Sequence, residues 1–165
     1  MDATRNVSPI MRRRLEAQGF VGLDDSALAD VGPWLRLAPA LCAAWAAAGT
    51  ALGSPVGLWA LVPLAALGAL RQGHPFDALY NHGVRYLLGT RRLPPYGVPR
   101  RLACAVAAAW LSLTGAAFFV GASGVGYALG SVLVLMALLT ALTNFCIPSW
   151  VYGRLLGKPA ACPWS

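Results

Sequence analysis

102-LACAVAAAWLSLTGAAFFVGASGVGYALGSVLVLMALLTALTNFCIPSWVYG-153 runs for 52 residues without one Lys, Arg, Asp or Glu. A second silence, 37-LAPALCAAWAAAGTALGSPVGLWALVPLAALGAL-70, is 34 residues long. A water-soluble domain of this size needs charge on its surface. A lipid-facing surface excludes it, because a charge at the bilayer centre costs several kcal/mol. The two stretches therefore read as membrane-embedded, and the fold class they predict is all-α.

Each stretch breaks once. Gly53-Ser54-Pro55-Val56-Gly57 and Gly121-Ala122-Ser123-Gly124-Val125-Gly126 are tight-turn signals. They divide the apolar sequence into four transmembrane helices in two hairpins, expected at 35–53, 55–71, 102–121 and 126–148. Each is near the ~20 residues that cross about 30 Å of hydrocarbon. The second is marginal, because Pro63 lies inside it and predicts a kink or a shallow span.

The composition agrees: 58% of the 165 residues are hydrophobic and only 12% charged, with mean hydropathy +0.60. Average soluble chains carry about 25% charged residues. Net charge is +7, and 12 of the 13 basic residues are Arg, Lys158 being the exception. Such a balance can signal nucleic acid, but here the arginines flank apolar segments and form no long basic-aromatic stretch. All lie in or just beside an N-terminal segment (1–33), a middle loop (72–101) or a C-terminal tail (158–165). For an even number of spans these regions share one side. The positive-inside rule then assigns both termini and the middle loop of the 34–157 membrane domain to the cytoplasm. The N-terminus reads as no cleavable leader, since mixed-sign charge precedes the first apolar run. The Arg12-Arg13-Arg14 triplet reads as a topology anchor on a short basic helix able to lie on anionic headgroups.

The middle loop carries the most polar chemistry. Phe76, Leu79, Tyr80, Gly83 and Leu87 fall on one face of a helix, and Asp77, Asn81 and Arg85 on another. This spacing predicts an interfacial amphipathic helix across the mouth of the four spans.

Depth along the spans brings reactive groups together. Cys104 starts the third span and Cys146 ends the fourth, so the hairpin sets them at one level. Cys42 lies about two turns into the first span from the same side. His74 and His82 belong to the loop that caps this end. Thiolate and imidazole are the ligand set of zinc, copper(I) and other soft metals; two thiols at one level can instead form a redox pair. Against both stands simple packing, since Cys is also a small buried apolar residue. The candidate site is thus Cys104, Cys146, His74 and His82, with Asp77, Asn81, Arg85 and Asn144 as supporting polar groups, and a soft metal ion as the possible cofactor. Cys162 in the tail reads as an unconstrained thiol. Asn144 stacks with Thr140 at i, i+4, either as interhelical glue or as the lining of a polar cavity, and Pro148 is expected to end the span. Gly126-x-x-x-Gly130 is a small-residue face that packs within the chain or pairs two copies, the former being favoured.

No phosphate-binding loop, H-E-x-x-H or G-x-S-x-G motif occurs. No nucleophile–base pair is legible, so the sequence leans against an enzyme without deciding it. No acid lies inside a span, which argues against ordinary proton-coupled transport.

Several strings resemble one bacterial membrane family. They are Leu35-Arg36-Leu37-x-Pro39-Ala40-Leu41-Cys42, Gly73-His74-Pro75-Phe76-Asp77-x-x-Tyr80-Asn81-His82-Gly83-x-Arg85, Leu93-Pro94-Pro95, Pro99-Arg100-Arg101-x-Ala103-Cys104 and Cys146-Ile147-Pro148-Ser149. Together they are similar to the domain of unknown function DUF4395, over roughly residues 34–157. The resemblance implies four spans in a bacterial inner membrane and no particular activity. It also implies a second cysteine near position 149 in some relatives, where this chain has Ser149.

Two functions follow as expectations. One is a thiol/His module that handles a soft metal ion or a sulfur species at the cytoplasmic face. The other is an accessory or scaffold subunit without chemistry of its own. The expected surroundings are the lipid bilayer and either a partner membrane protein or a second copy of the chain, with no nucleic acid.

Overall fold

The computed structural model describes residues 7–157. The tail that carries Lys158 and Cys162 lies outside them. Among the described residues every regular element is helical. The helices are α1 (Pro9–Ala17), α2 (Asp25–Val31), α3 (Leu37–Ala51), α4 (Pro55–Trp59), α5 (Val62–Leu70), α6 (Pro75–Leu79), α7 (Arg85–Leu88), α8 (Val98–Phe119), α9 (Ser123–Thr143) and α10 (Ile147–Leu156).

Both turn signals act as read. α3 ends where Gly53 adopts φ +55°, with the Gly53 N–H on Thr50 O at 2.9 Å and the Ser54 N–H on Gly49 O at 2.9 Å. α8 ends identically at Gly121, φ +80°, with its N–H on Phe118 O and the Ala122 N–H on Ala117 O. Only glycine enters this left-handed region without strain, and the closure satisfies the last carbonyls of each helix. Ser54 then caps α4 by accepting the Gly57 N–H at 3.1 Å.

The four expected spans are unequal. α8 (22 residues) and α9 (21 residues) are long and apolar enough to cross a membrane, with mean hydropathy 1.9 and 2.2. α3 has 15 residues, about 22 Å at 1.5 Å per residue. The second expected span is two pieces, α4 and α5. The chain turns at Ala60-Leu61, and Pro63, which has no N–H to give, sits in the first turn of α5. A third candidate crossing arises only if residues 55–70 and 75–88 are taken as one element bent by 79°.

These pieces still pack as one bundle: α3 on α9 and α4, α4 and α5 on α8, and α8 on α9. The Gly126/Gly130 face is used inside it. A methyl group on Gly130 would collide with Thr50 of α3, and one on Gly126 with Phe118 of α8. Outward-facing Leu113, Phe119, Leu135 and Leu142 leave a broad apolar surface of the kind that a bilayer covers.

At the arginine-rich end a second core lies over the bundle. Leu15, Phe20, Leu28 and Leu35 pack with Tyr80, Leu93 and Tyr96 of the middle loop. Residues 7–33 are therefore folded onto the domain. Arg12 pairs with Asp25 and Glu16. Arg14 donates to Thr143 O at 2.9 Å, leaving Arg13 as the exposed member of the triplet. The expected headgroup contact is thus largely replaced by contacts within the protein.

The amphipathic helix of the middle loop is not formed as spaced. Tyr80 and Asp77 are both buried, whereas Leu79 and Leu87, expected beside Tyr80, are exposed. The π turn over Tyr80–Val84 rotates Leu87 out of the 3.6-residue register, and ahead of it the capping box with His74 draws Asp77 inward. The end of the last long helix also differs. α9 stops at Thr143, because Asn144 takes a left-handed conformation (φ 53°), and Pro148 opens α10 rather than closing α9. The carbonyls at this end of α9 are occupied: Arg14 donates to that of Thr143 and Gln18 to that of Asn144.

Candidate functional site

At the arginine-rich end the four bundle segments do not close completely. They leave a cavity of about 150 Å³. Its deep walls are apolar, with Ala46, Leu111 and Leu133 among them, and the groups at its outer end are Cys42, His74, Arg100, Cys104, Thr140 and Cys146. Three thiols from three elements thus face one space, Cys146 from the cap residue of α10 and Cys42 and Cys104 from α3 and α8.

His74 is held by its local sequence. It is the cap residue of α6, fixed by Pro75 behind it. Its Nδ1 accepts the Phe76 N–H at 3.3 Å, while its own N–H donates to Asp77 Oδ2 at 3.4 Å. With Nδ1 engaged as an acceptor, the ring proton belongs on Nε2, which stands 3.7 Å from Cys42 Sγ. The imidazole therefore donates toward sulfur. Burial, reinforced by Arg100, pushes the His74 pKa down to about 4, so the ring is neutral at physiological pH. Gly68 on α5 makes the approach possible: a methyl there would meet His74 Cδ2 at 2.9 Å and Cys104 Sγ at 3.1 Å.

Arg100 is the strongest electrostatic feature. It is 5% exposed. Its guanidinium donates to Leu35 O at 2.8 Å and to Gln18 Oε1, and lies over the Tyr96 ring at 4.6 Å. Gln18 in turn donates to Asn144 O at 2.5 Å, so α1 ties α8 to the end of α9 at the cavity mouth. Asp77 is the nearby acid. Burial pushes its carboxyl up from the usual range against the opposing pull of Arg100. Tyr96 stands near the same carboxyl, yet Asp77 Oδ1 makes no hydrogen bond.

Of the sequence-derived candidates, Cys104, Cys146 and His74 meet at the cavity, and Cys42 joins them. His82 does not: it is exposed, and its Nδ1 donates to Ala78 O at 2.9 Å. Asn81 accepts the Leu93 N–H at 2.9 Å and holds the loop. Arg85 donates to Tyr86 Oη at 3.0 Å and stacks on that ring. Asn144 is glue, donating to Gly32 O at 3.3 Å. Among the described residues no three His, Cys, Asp or Glu side chains form a group that could hold a metal ion. The sequence reading missed Arg100 and Gln18. Arg100 passes for a span anchor beside Arg101, which indeed caps α5 by donating to Ala69 O at 2.8 Å. The overlooked signal was its i, i+4 spacing from Cys104, which sets both on one face of α8.

A family model described as a domain of unknown function (DUF4395) matches residues 32–156. No curated protein and no solved structure matches the chain.

Proposed function

This chain belongs to the DUF4395 family, and we propose that it is a multi-pass inner-membrane protein whose thiol chamber takes up a small sulfur species at the cytoplasmic face. In this reading α3 and the α4–α5 pair complete a four-span bundle with α8 and α9, and both termini and the middle loop are cytoplasmic. The middle loop lies at the interface, with Leu79, Tyr86 and Leu87 toward lipid. Cys104 and Cys146 are the reacting groups, Cys42 and His74 their neighbours. Asp77 and Asn144 support the surrounding backbone.

One observation carries the reading: three cysteines, a neutral imidazole and a buried guanidinium border one cavity. A packing role for cysteine requires no such convergence. Arg100 favours an anionic or polarisable guest over a metal cation, because a positive charge within reach of the thiols repels the latter. The lack of a three-ligand group among the described residues weighs the same way. The accessory-subunit alternative would account for the interlocked helices but not for the cavity.

The test is thiol titration, metal content and cyanide-releasable sulfur on the detergent-purified protein, wild type beside Cys104→Ser/Cys146→Ser. Releasable sulfur that disappears in the double variant supports the chamber. Stoichiometric zinc or copper that disappears instead converts the reading to a soft-metal site. Inert thiols with neither sulfur nor metal sink it and leave the accessory role, to be pursued by co-purification.

A further inference from the structure

The thiol chamber is roofed at the arginine-rich end. Gln18, His74, Tyr96 and Arg100 line it there, and none is more than 5% exposed. Its accessible edge lies between the two long helices. Ala103, Val106 and Ala107 line it from α8, and Met136, Ala137 and Thr140 from α9. Val106 is 37% exposed, so it reaches both the cavity and the outer surface, and the other five are half-buried. Trp110 sets the far limit of this window: its indole N–H donates to Leu129 O at 3.0 Å and pins α8 to α9. Cys146 and Pro148, both half-buried, bound the near end.

Val106 lies eight residues past Val98, about 12 Å along a helix of 22 residues. That depth falls within the ~30 Å hydrocarbon layer, below the headgroups. We infer that the chamber is filled from the bilayer: a guest with an apolar body enters between α8 and α9 and carries a sulfur head to the thiols. The sulfur head rests on the function proposed above. The apolar body and the lateral route rest on the cavity itself.

The walls decide the class of guest. Beyond the thiols stand Ala46, Leu111 and Leu133, which offer no hydrogen bond. A hydrated ion such as thiosulfate would shed its water there and gain nothing in return. A ring or short alkyl chain gains by leaving water or by filling an otherwise empty space. A cavity of about 150 Å³ holds a body of benzene's size. Polar groups stand at one end only, so the guest is amphipathic. Its sulfur lies toward Cys104, Cys146 and Arg100, and its body toward Leu111 and Leu133. The class is a small organic thiol or hydropersulfide dissolved in the membrane.

The test uses reduced full-length protein in phosphatidylcholine nanodiscs, where lipid and both water faces are accessible. Thermal midpoints are followed against benzyl mercaptan, toluene and sodium thiosulfate. Saturable stabilisation by benzyl mercaptan is expected, at least tenfold tighter than any by thiosulfate. Val106→Trp, at an exposed position that leaves folding intact, covers the window and should weaken this binding tenfold or more. Ala107→Leu/Ala137→Leu fills the seam from both sides and should do the same. Leu135→Trp, on the outer face of α9 and 65% exposed, should change nothing. Saturable toluene binding equal to that of benzyl mercaptan supports the apolar lateral site and sinks the sulfur reading. Thiosulfate binding without benzyl mercaptan binding overturns the inference and leaves the thiol chamber standing. Binding of neither, or benzyl mercaptan binding that survives both window variants, overturns the inference as well.

Discussion

His74 Nε2 lies 3.7 Å from Cys42 Sγ, and the same ring spends Nδ1 on the Phe76 N–H at 3.3 Å. A ring fixed at both nitrogens has one sensible protonation state, the neutral Nε2–H tautomer. Protonation would place a second N–H against the Phe76 amide proton. Burial, with the nearby charge of Arg100, lowers the His74 pKa from its ordinary 6.5 to about 4, so the unfolded chain binds the proton first. The stability contributed by neutral His74 is therefore complete above pH 6.5 and is lost as pH falls toward 4. The loss amounts to roughly 3 kcal/mol. Asp77, with a raised pKa, opposes this at the acid end of the window. Comparing the thermal midpoint of wild type and His74→Gln between pH 7 and 4 isolates the histidine. The wild-type midpoint should fall more steeply than the variant's. Parallel profiles would refute the assignment.

Gln18 is 1% exposed and links Arg100 on α8 to the Asn144 carbonyl that ends α9. Gln18→Ala strips a buried guanidinium of one acceptor and a buried carbonyl of its donor. A lost hydrogen bond to a charged group costs about 1.5–3 kcal/mol. Gln18→Ala should therefore destabilise the purified protein by about 2–4 kcal/mol. Gln18→Glu should recover only part of this, because it keeps the acceptor for Arg100 and loses the donor to Asn144. Equal stability of all three in denaturant titration would show the link to be idle.

The apolar stretches, their breaks at Gly53 and Gly121, and depth along a helix need only local sequence, and so α8, α9, both hairpin turns and the meeting of Cys104, Cys146 and Cys42 were legible. What failed depended on tertiary contacts. The π turn at Tyr80–Val84 defeats any fixed periodicity and leaves Leu87 on the surface, while the capping contact with the His74 N–H holds Asp77 in the interior. Arg100 looked like a membrane anchor because its acceptors, Gln18 and Leu35 O, are 82 and 65 residues away. His82 was grouped with His74 by proximity in sequence, yet only His74 is aimed into the bundle by its Pro75 and Asp77 neighbours.

Gly130 offers a sharper test of how the bundle closes. Its missing side chain admits Thr50 of α3, whose Oγ1 is buried there. Gly130→Val should force α3 from α9 and lower stability by about 1–3 kcal/mol or more, in the manner of an overpacked core. Gly124→Val, where no atom lies within 4 Å of the added carbon, should be close to neutral. If both variants behave alike in detergent thermal melts, the α3–α9 contact does not hold the bundle.

Sidedness can be read from single cysteines introduced into a chain with all four native cysteines replaced by serine. Gly83→Cys lies in the middle loop and Ser123→Cys at the α8–α9 turn; Gly83 has open space around it, so a side chain is tolerated there. The described arginines cluster at the end that bears Gly83, and the positive-inside rule assigns that end to the cytoplasm. A membrane-impermeant maleimide should label Ser123→Cys from outside intact spheroplasts and Gly83→Cys only in inverted vesicles. The reverse pattern would invert the topology and turn the thiol chamber away from the cytoplasm. Labelling of both positions from one side would mean that α8 does not cross, and the four-span reading would fail with it.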